Sequence, residues 1–470
     1  RLSHGKVTVS GPGSTWTSTG SLSVGSFVNT TAELLIENGG RVISNSSPGS
    51  SGFDSGIGVF ILSKGIVNVT GAGSTWTHNA SLNVGGQGTG TLSISNGGRV
   101  VSLGGVVSTG SPFGGGVGTS SATVSGPGST WVNNGPLTVG SGLPGTLTIA
   151  DGGHVSSTSG FIASQSFSNG AASVTGNGSA WTISDDLIVG GSSTSISGGA
   201  GTLSIGPGSN VSVGDQIVIH QQGQLKLEGG SLAATAIRRG PFGLGLFNWT
   251  AGTLHVGSFE GSLTNSAGIL APGRSPGSTT ITGDYTQQAG GALEIEIGGT
   301  LPGTGYDAVS VNLRATLGGQ LQLALIGGFV PGQANIFTVL MANTGLTGAF
   351  ANVVNGQRLA TSDGTGSFLV HYGATSAFNP RHVVLTNFQS TLLPGDFNHD
   401  GNVDAADYVV WRRNPSGNTL VDTTNYNTWR ANFGRTAAQI ASSTSVPEPE
   451  SLAFVGALLS VVVFTRARRY

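Results

Sequence analysis

The sequence predicts a mainly β protein, a right-handed parallel β-helix followed by a small α-helical module and a short apolar helix at the C-terminal end. Three observations carry this. Glycine makes up 82 of 470 residues, against a usual share of about 7 %. One motif returns every 50 to 60 residues, and short runs alternate apolar with polar side chains. A chain of this length exceeds what one compact core usually holds, so an elongated repeat array or several domains are expected. Charged residues are 9 % of the chain, where about 25 % is typical. With a net charge of −2 nothing marks nucleic acid as a partner or steers any other class. Cysteine is absent, which excludes disulfides and thiolate metal sites but not export. The chain opens at Arg1 without a Met start or a basic or apolar leader region, so the N-terminus is expected to be incomplete, with any signal peptide outside this sequence.

The repeat aligns without gaps at Val7–Trp16, Val67–Trp76, Ala122–Trp131 and Ala172–Trp181. Nine residues after each Trp a glycine closes a short alternating strand, at Gly25, Gly85, Gly140 and Gly190. A third strand follows, for example Leu92-Ser93-Ile94, with its own glycine turn at Gly97-Gly98. Length varies in the Gly/Ser-rich stretch beyond, as in surface loops. A strand of three residues cannot bury its own apolar face, whereas strands stacked about 4.8 Å apart form a continuous aliphatic interior. Glycines supply positive φ at the corners. These segments, from about Lys6 to Val213, resemble the β-strand repeats of autotransporter passengers and of secreted proteins with a PEP-CTERM tail. Residues Leu270–Leu325 resemble the end region of such passengers.

An active site on the solenoid would need clustered acids with a basic partner. The acids of residues 1–255 are Glu33, Glu37, Asp54, Asp151, Asp185, Asp186, Asp215 and Glu228, thinly spread. Asp185 and Asp186 are neighbours, expected on opposite faces of a strand or, more simply, in a turn before Leu187. Glu294 and Glu296 share a strand face opposite Leu293, Ile295 and Ile297, the pattern of a solvated side. The four repeat tryptophans read as corner caps rather than sugar platforms. His154, at the position of Arg41 and Arg99, reads as an exposed loop histidine. No catalytic residue is expected, and a β-helix polysaccharide lyase or hydrolase is the alternative.

The sharpest chemical motif is Asp396–Asp407, DFNHDGNVDAAD, with oxygen ligands at loop positions 1, 3, 5, 9 and 12 and glycine at position 6. Ca²⁺ is expected on Asp396, Asn398, Asp400, the carbonyl of Asn402, Asp404 through water, and Asp407. Asp at position 12, followed by Tyr408-Val409-Val410-Trp411-Arg412, resembles a dockerin. A second half is visible where Asn425–Asn432 repeats Asp407–Asn414. Its loop offers only Asn414, Ser416, Asn418, Asp422 and Asn425, with Thr419 in place of the glycine, so a single calcium ion is expected. The dockerin resemblance implies a cohesin-like partner. The repeated Tyr/Trp pairs read as the seam between two helices, with the arginines at its edge.

After a polar linker, Ala437–Ser445, come Val446, Pro447, Glu448 and Pro449, then an apolar run Ser451–Phe464 and Arg466, Arg468 and Arg469. That run spans about 21 Å as a helix, short of a roughly 30 Å hydrocarbon core, a marginal anchor with its arginines in the cytoplasm. The tail resembles a PEP-CTERM signal, which implies an exosortase-type processing protease and delivery to the cell surface or matrix. The expected organisation is therefore a repeat β-helix over 1–255, a β-rich end region over 256–390, a dockerin-like module over 394–436, a linker over 437–445 and a sorting tail over 446–470. The expected protein is exported, structural or adhesive, and contacts membrane through its tail and polysaccharide or another surface protein.

Overall fold

A computed structural model describes residues 2, 4–45, 56–110, 118–192, 198–240, 245–391, 393–398, 400–413 and 419–436. The sorting motif at Val446–Pro449 and the expected apolar helix lie outside these residues. No helix among the described residues is long and apolar enough to cross a membrane. The chain divides into two units, Arg1–Asp363 with Phe368–Phe388, and Gly364–Ser367 with Gln389–Tyr470.

The first unit is a parallel ladder wound as a solenoid. Strands Gly5–Ser10, Thr31–Glu37, Lys64–Thr70 and Thr89–Ser95 stack in register. Ser120–Ser125, Gly145–Ala150, Asn169–Thr175 and Ala200–Ile205 continue the same side. Their inward residues form columns such as Val69, Ile94, Val124, Ile149 and Val174, all fully buried. The residues between them face outward and are mostly Ser and Thr, which is the alternation seen in the sequence.

A second side shows why the repeat is 50 to 60 residues long. Trp16, Val42, Trp76, Val100, Trp131, Val155, Trp181 and Val211 lie in one column, each beside the next. One sequence repeat thus spans two rungs, one carrying Trp and one carrying Val. The strand read from sequence as the third of a unit, Leu92-Ser93-Ile94 for instance, is the first side of the following rung, stacked on Val67-Asn68-Val69. Large and small side chains alternate down the column, so the interior fills without widening the coil.

The corner glycines behave as the spacing requires. Gly25, Gly85, Gly140 and Gly190 have φ of 71°, 87°, 73° and 79°. At Gly140 a Cβ would also sit 2.3 Å from the carbonyl oxygen of Asn169 on the next rung, so both conformation and rung spacing demand glycine.

The ladder runs on through Gly223–Arg239 and Leu246–Phe259 to Gln320–Leu325. Beside it a four-stranded parallel sheet begins at Leu263–Asn265 and continues through Tyr285–Gln287, Arg314–Leu317 and Gly345–Gly348. The far end is closed by Phe337–Ala342 pairing antiparallel with His382–Ser390. Tyr306, Phe337 and Phe368 pack there edge to face, with centroids 5.1 and 5.8 Å apart.

Candidate metal centre

The loop Asp396–Asp407 opens the second unit's helical part. Helix α1 (Ala405–Arg413) begins inside it and helix α2 (Thr419–Asn432) packs back against α1. Gly401 has φ 85°, as position 6 requires. Asp407 is fully buried, accepting the backbone N–H groups of Phe397 (2.8 Å) and Asn398 (3.0 Å) on one oxygen and that of Asp404 (2.7 Å) on the other. Asp396, 5 % exposed, accepts the N–H groups of Asp400 (3.2 Å) and Gly401 (2.9 Å). Asp400 is held below the usual carboxylate range by the Asn402 N–H and the Asn398 side chain.

Does this donor set fit a hard divalent cation? Asp396 and Asp407 are buried carboxylates that form no ion pair among the described residues, an arrangement that is costly unless a cation compensates it. The acids share one twelve-residue loop with oxygen donors only. As placed, however, no three of Asp396, Asp400, Asp404 and Asp407 bring their oxygens within 4.8 Å of one another. Their oxygens are turned onto loop N–H groups. The chemistry fits, and a bound ion would draw the side chains closer.

The other end of the loop is fixed by α2. Val403, fully buried at position 8, exchanges backbone hydrogen bonds with Arg435 (2.8 Å) and Gly434 (2.7 Å). The Trp429 indole N–H donates to the carbonyl of Asp404 at 2.7 Å. Between the helices Tyr408 stacks on Trp429 and Trp411 on Tyr426, centroids 5.0 and 5.4 Å apart. Arg412 lies at the edge over Tyr408. The aromatic seam is as the sequence repeat suggested. The second loop differs: Thr419 and Asp422, the counterparts of Gly401 and Asp404, fall within α2 and are helical rather than loop, whereas Asn425 is helical just as Asp407 is in α1. Without glycine or charge at Thr419 nothing holds a tight turn there, and the helix extends into it. Asn414, Ser416 and Asn418 lie outside the described residues.

On the solenoid the acids are not all thinly spread as expected, although Asp185 and Asp186 do lie in the turn before Leu187 that the sequence suggested. The carboxylates of Asp185, Asp186 and Asp215 lie within 4.8 Å of one another. Strand alternation does not separate Asp185 from Asp186, because both sit in the turn before Leu187–Val189. Asp215 is the equivalent turn residue one rung on, its N–H bonded to the Asp185 carbonyl at 3.2 Å. Asp185 and Asp215 are exposed, and Asp186 accepts the N–H of Gln216 at 3.3 Å.

Trp76, Trp131 and Trp181 are fully buried, and Trp16 is half-buried in the first rung. Their indole N–H groups donate to Ser44 (2.9 Å), Ser102 (3.2 Å) and Ser157 (3.2 Å) of the preceding rung. These serines, not singled out by their sequence, have one signal: each stands two residues after the column valine of its rung, Val42, Val100 and Val155. Ser44 also lies 2.9 Å from His78 Nδ1, but Ser44 and His78 are 0 % and 1 % exposed, which seals this Ser–His pair from any substrate. His154 is exposed in register with Arg99, but it opens the strand His154–Ser157 rather than lying in a loop.

Glu294 and Glu296 are half-exposed opposite fully buried Leu293, Ile295 and Ile297. Beside them Asp307 is 1 % exposed, accepting the N–H groups of Gly277 (2.6 Å) and Glu296 (2.9 Å). Burial pushes its carboxyl up to about 7, the two N–H bonds opposing and Glu296 and Glu294 reinforcing the shift. The folded value lies above the unfolded value of about 3.9, so the folded chain holds this proton more tightly. The resulting stabilisation is complete below about pH 4 and is lost as pH rises to 7. Melting temperatures of the wild type minus those of Asp307→Asn should therefore fall between pH 4 and 7 and level off above; a rising difference would refute the assignment.

No family model matches the chain, and a search of curated proteins finds no match to it.

Proposed function

We propose that the chain is an exported structural or adhesive protein of the cell surface or extracellular matrix, a right-handed parallel β-helix that serves as spacer and contact surface. The observation that carries this reading is the unbroken parallel ladder from Gly5 to Leu325, which turns its tryptophans and aliphatic residues inward and leaves long Ser/Thr faces outside. Such faces suit broad, weak contact with hydroxyl-rich matrix. The second unit, by its loop and aromatic seam, serves as a calcium-stabilised docking module of dockerin type for a cohesin-like or other surface protein. The tail, by its resemblance to a PEP-CTERM signal, directs exosortase-type processing and holds the chain at the membrane at least transiently.

The test is incubation of the purified chain with acidic and neutral polysaccharides, with Ca²⁺ and with chelator. Binding without new reducing ends or unsaturated sugars supports a surface protein. Product formation would overturn it in favour of a β-helix lyase or hydrolase, with the turn bearing Asp185, Asp186 and Asp215 the first place to look.

A further inference from the structure

The four-stranded sheet begins abruptly. Its first strand, Leu263–Asn265, pairs only with Tyr285–Gln287 among the described residues, so its other edge opens onto a cleft of about 250 Å³. The floor of that cleft is apolar, with Phe247, Phe259 and Leu263, the two phenyl centroids 5.5 Å apart. The rim carries Arg238, Arg239 and Glu260. In a chain so poor in charge, two adjacent arginines over one cleft are unusual, and neither forms an ion pair among the described residues. Glu260, whose carboxylate accepts the backbone N–H of Arg239 at 3.2 Å, offsets one of the two charges and leaves the rim with a net positive charge. Gly261, with φ 95°, lets the Arg239 guanidinium lie against the backbone; a Cβ there would sit 2.6 Å from its Nη2.

We propose that this cleft is a subsite for one carboxylate-bearing sugar residue of an acidic polysaccharide, which deepens, and rests on, the reading of the solenoid as a contact surface. The volume is below the roughly 300–1,000 Å³ of clefts for drug-sized ligands, which limits the occupant to about one ring. Phe247, half-buried, offers an apolar face for the C–H side of that ring. Guanidinium groups are matched to a carboxylate by their paired donors and fixed charge. The open edge of Leu263–Asn265, with its own Thr264 and the preceding Ser262, adds hydroxyl and backbone partners for ring hydroxyls.

The test is equilibrium binding of the full chain to a galacturonate hexamer and to a neutral glucose hexamer, at low and at physiological salt. Wild type should prefer the uronate hexamer, and the preference should weaken with salt. Arg238→Gln with Arg239→Gln should weaken uronate binding at least tenfold and leave neutral binding unchanged, while Arg314→Gln, in the adjacent sheet, should have no effect. Circular dichroism melting confirms that each variant is folded. Equal affinity for both hexamers, no uronate binding, or a double variant that binds like wild type would overturn the subsite. None of these results by itself touches the surface-protein reading, which fails only if product forms.

Discussion

Replacing Trp131 by alanine should cost about 3–5 kcal/mol, the range for deleting a buried aromatic side chain. Trp131 is fully buried and stands between Val100 and Val155 in the interior column. The rungs above and below are pinned by parallel ladders at a fixed spacing, so they cannot move together to close the void. The substitution also strips Ser102 of the indole N–H it accepts, leaving that hydroxyl with Asn133 as its partner. Ser102→Ala should cost less, about 1–3 kcal/mol, because the indole N–H is then left unsatisfied in the interior. A solenoid this long need not unfold in one step, so the readout is hydrogen exchange. Amides of residues 99–157 should lose protection in Trp131→Ala while those of Gln320–Leu325 keep theirs. Unchanged protection around Trp131 would mean that the column does not carry the load assigned to it.

The Trp column also shows what the sequence could and could not reveal. Alternating runs such as Leu92-Ser93-Ile94 announce a strand buried on one face, and the fixed distance from Trp to glycine announces the corner. Rung size stayed hidden because self-alignment follows the conspicuous residue, and Trp appears on every second rung. Arg41-Val42-Ile43-Ser44 occupies the same place as Thr75-Trp76-Thr77-His78 without resembling it. Asp185 and Asp186 were legible as a turn before Leu187, but their meeting with Asp215 was not, because Asp215 comes from the equivalent turn of the next rung. In the second unit position 6 of each loop decided the outcome: Gly401 turns, and Thr419 continues into helix. The Arg238 and Arg239 cleft depends on where one sheet stops and another begins, which no local pattern encodes.

Removing calcium should destabilise the helical pair, and Asp407 is the residue on which the effect should turn. It ends the loop, sits in the first turn of α1 and accepts three backbone N–H groups while fully buried. Asp407→Asn keeps the shape but removes the charge that draws a cation, and one of its carboxylate oxygens becomes a donor facing N–H groups. Calorimetric titration of the full chain should show one Ca²⁺ per wild-type molecule, with affinity at least 100-fold weaker in the variant. An ion present at 100 times its Kd adds about 2.7 kcal/mol to the state that binds it, so the wild-type module should melt higher in calcium than in chelator. Two separate differences then locate the cause. If Asp407 only organises the loop through its hydrogen bonds, Asp407→Asn lowers stability equally with and without calcium. If it also holds the ion, the variant loses the calcium increment itself, and Asp404→Ala, an exposed position assigned a water-mediated contact, loses only part of it. Two bound ions would restore a role to the second half, and their site would have to be built on a helix that begins at Thr419, since Asp422 and Asn425 lie one and two turns along it.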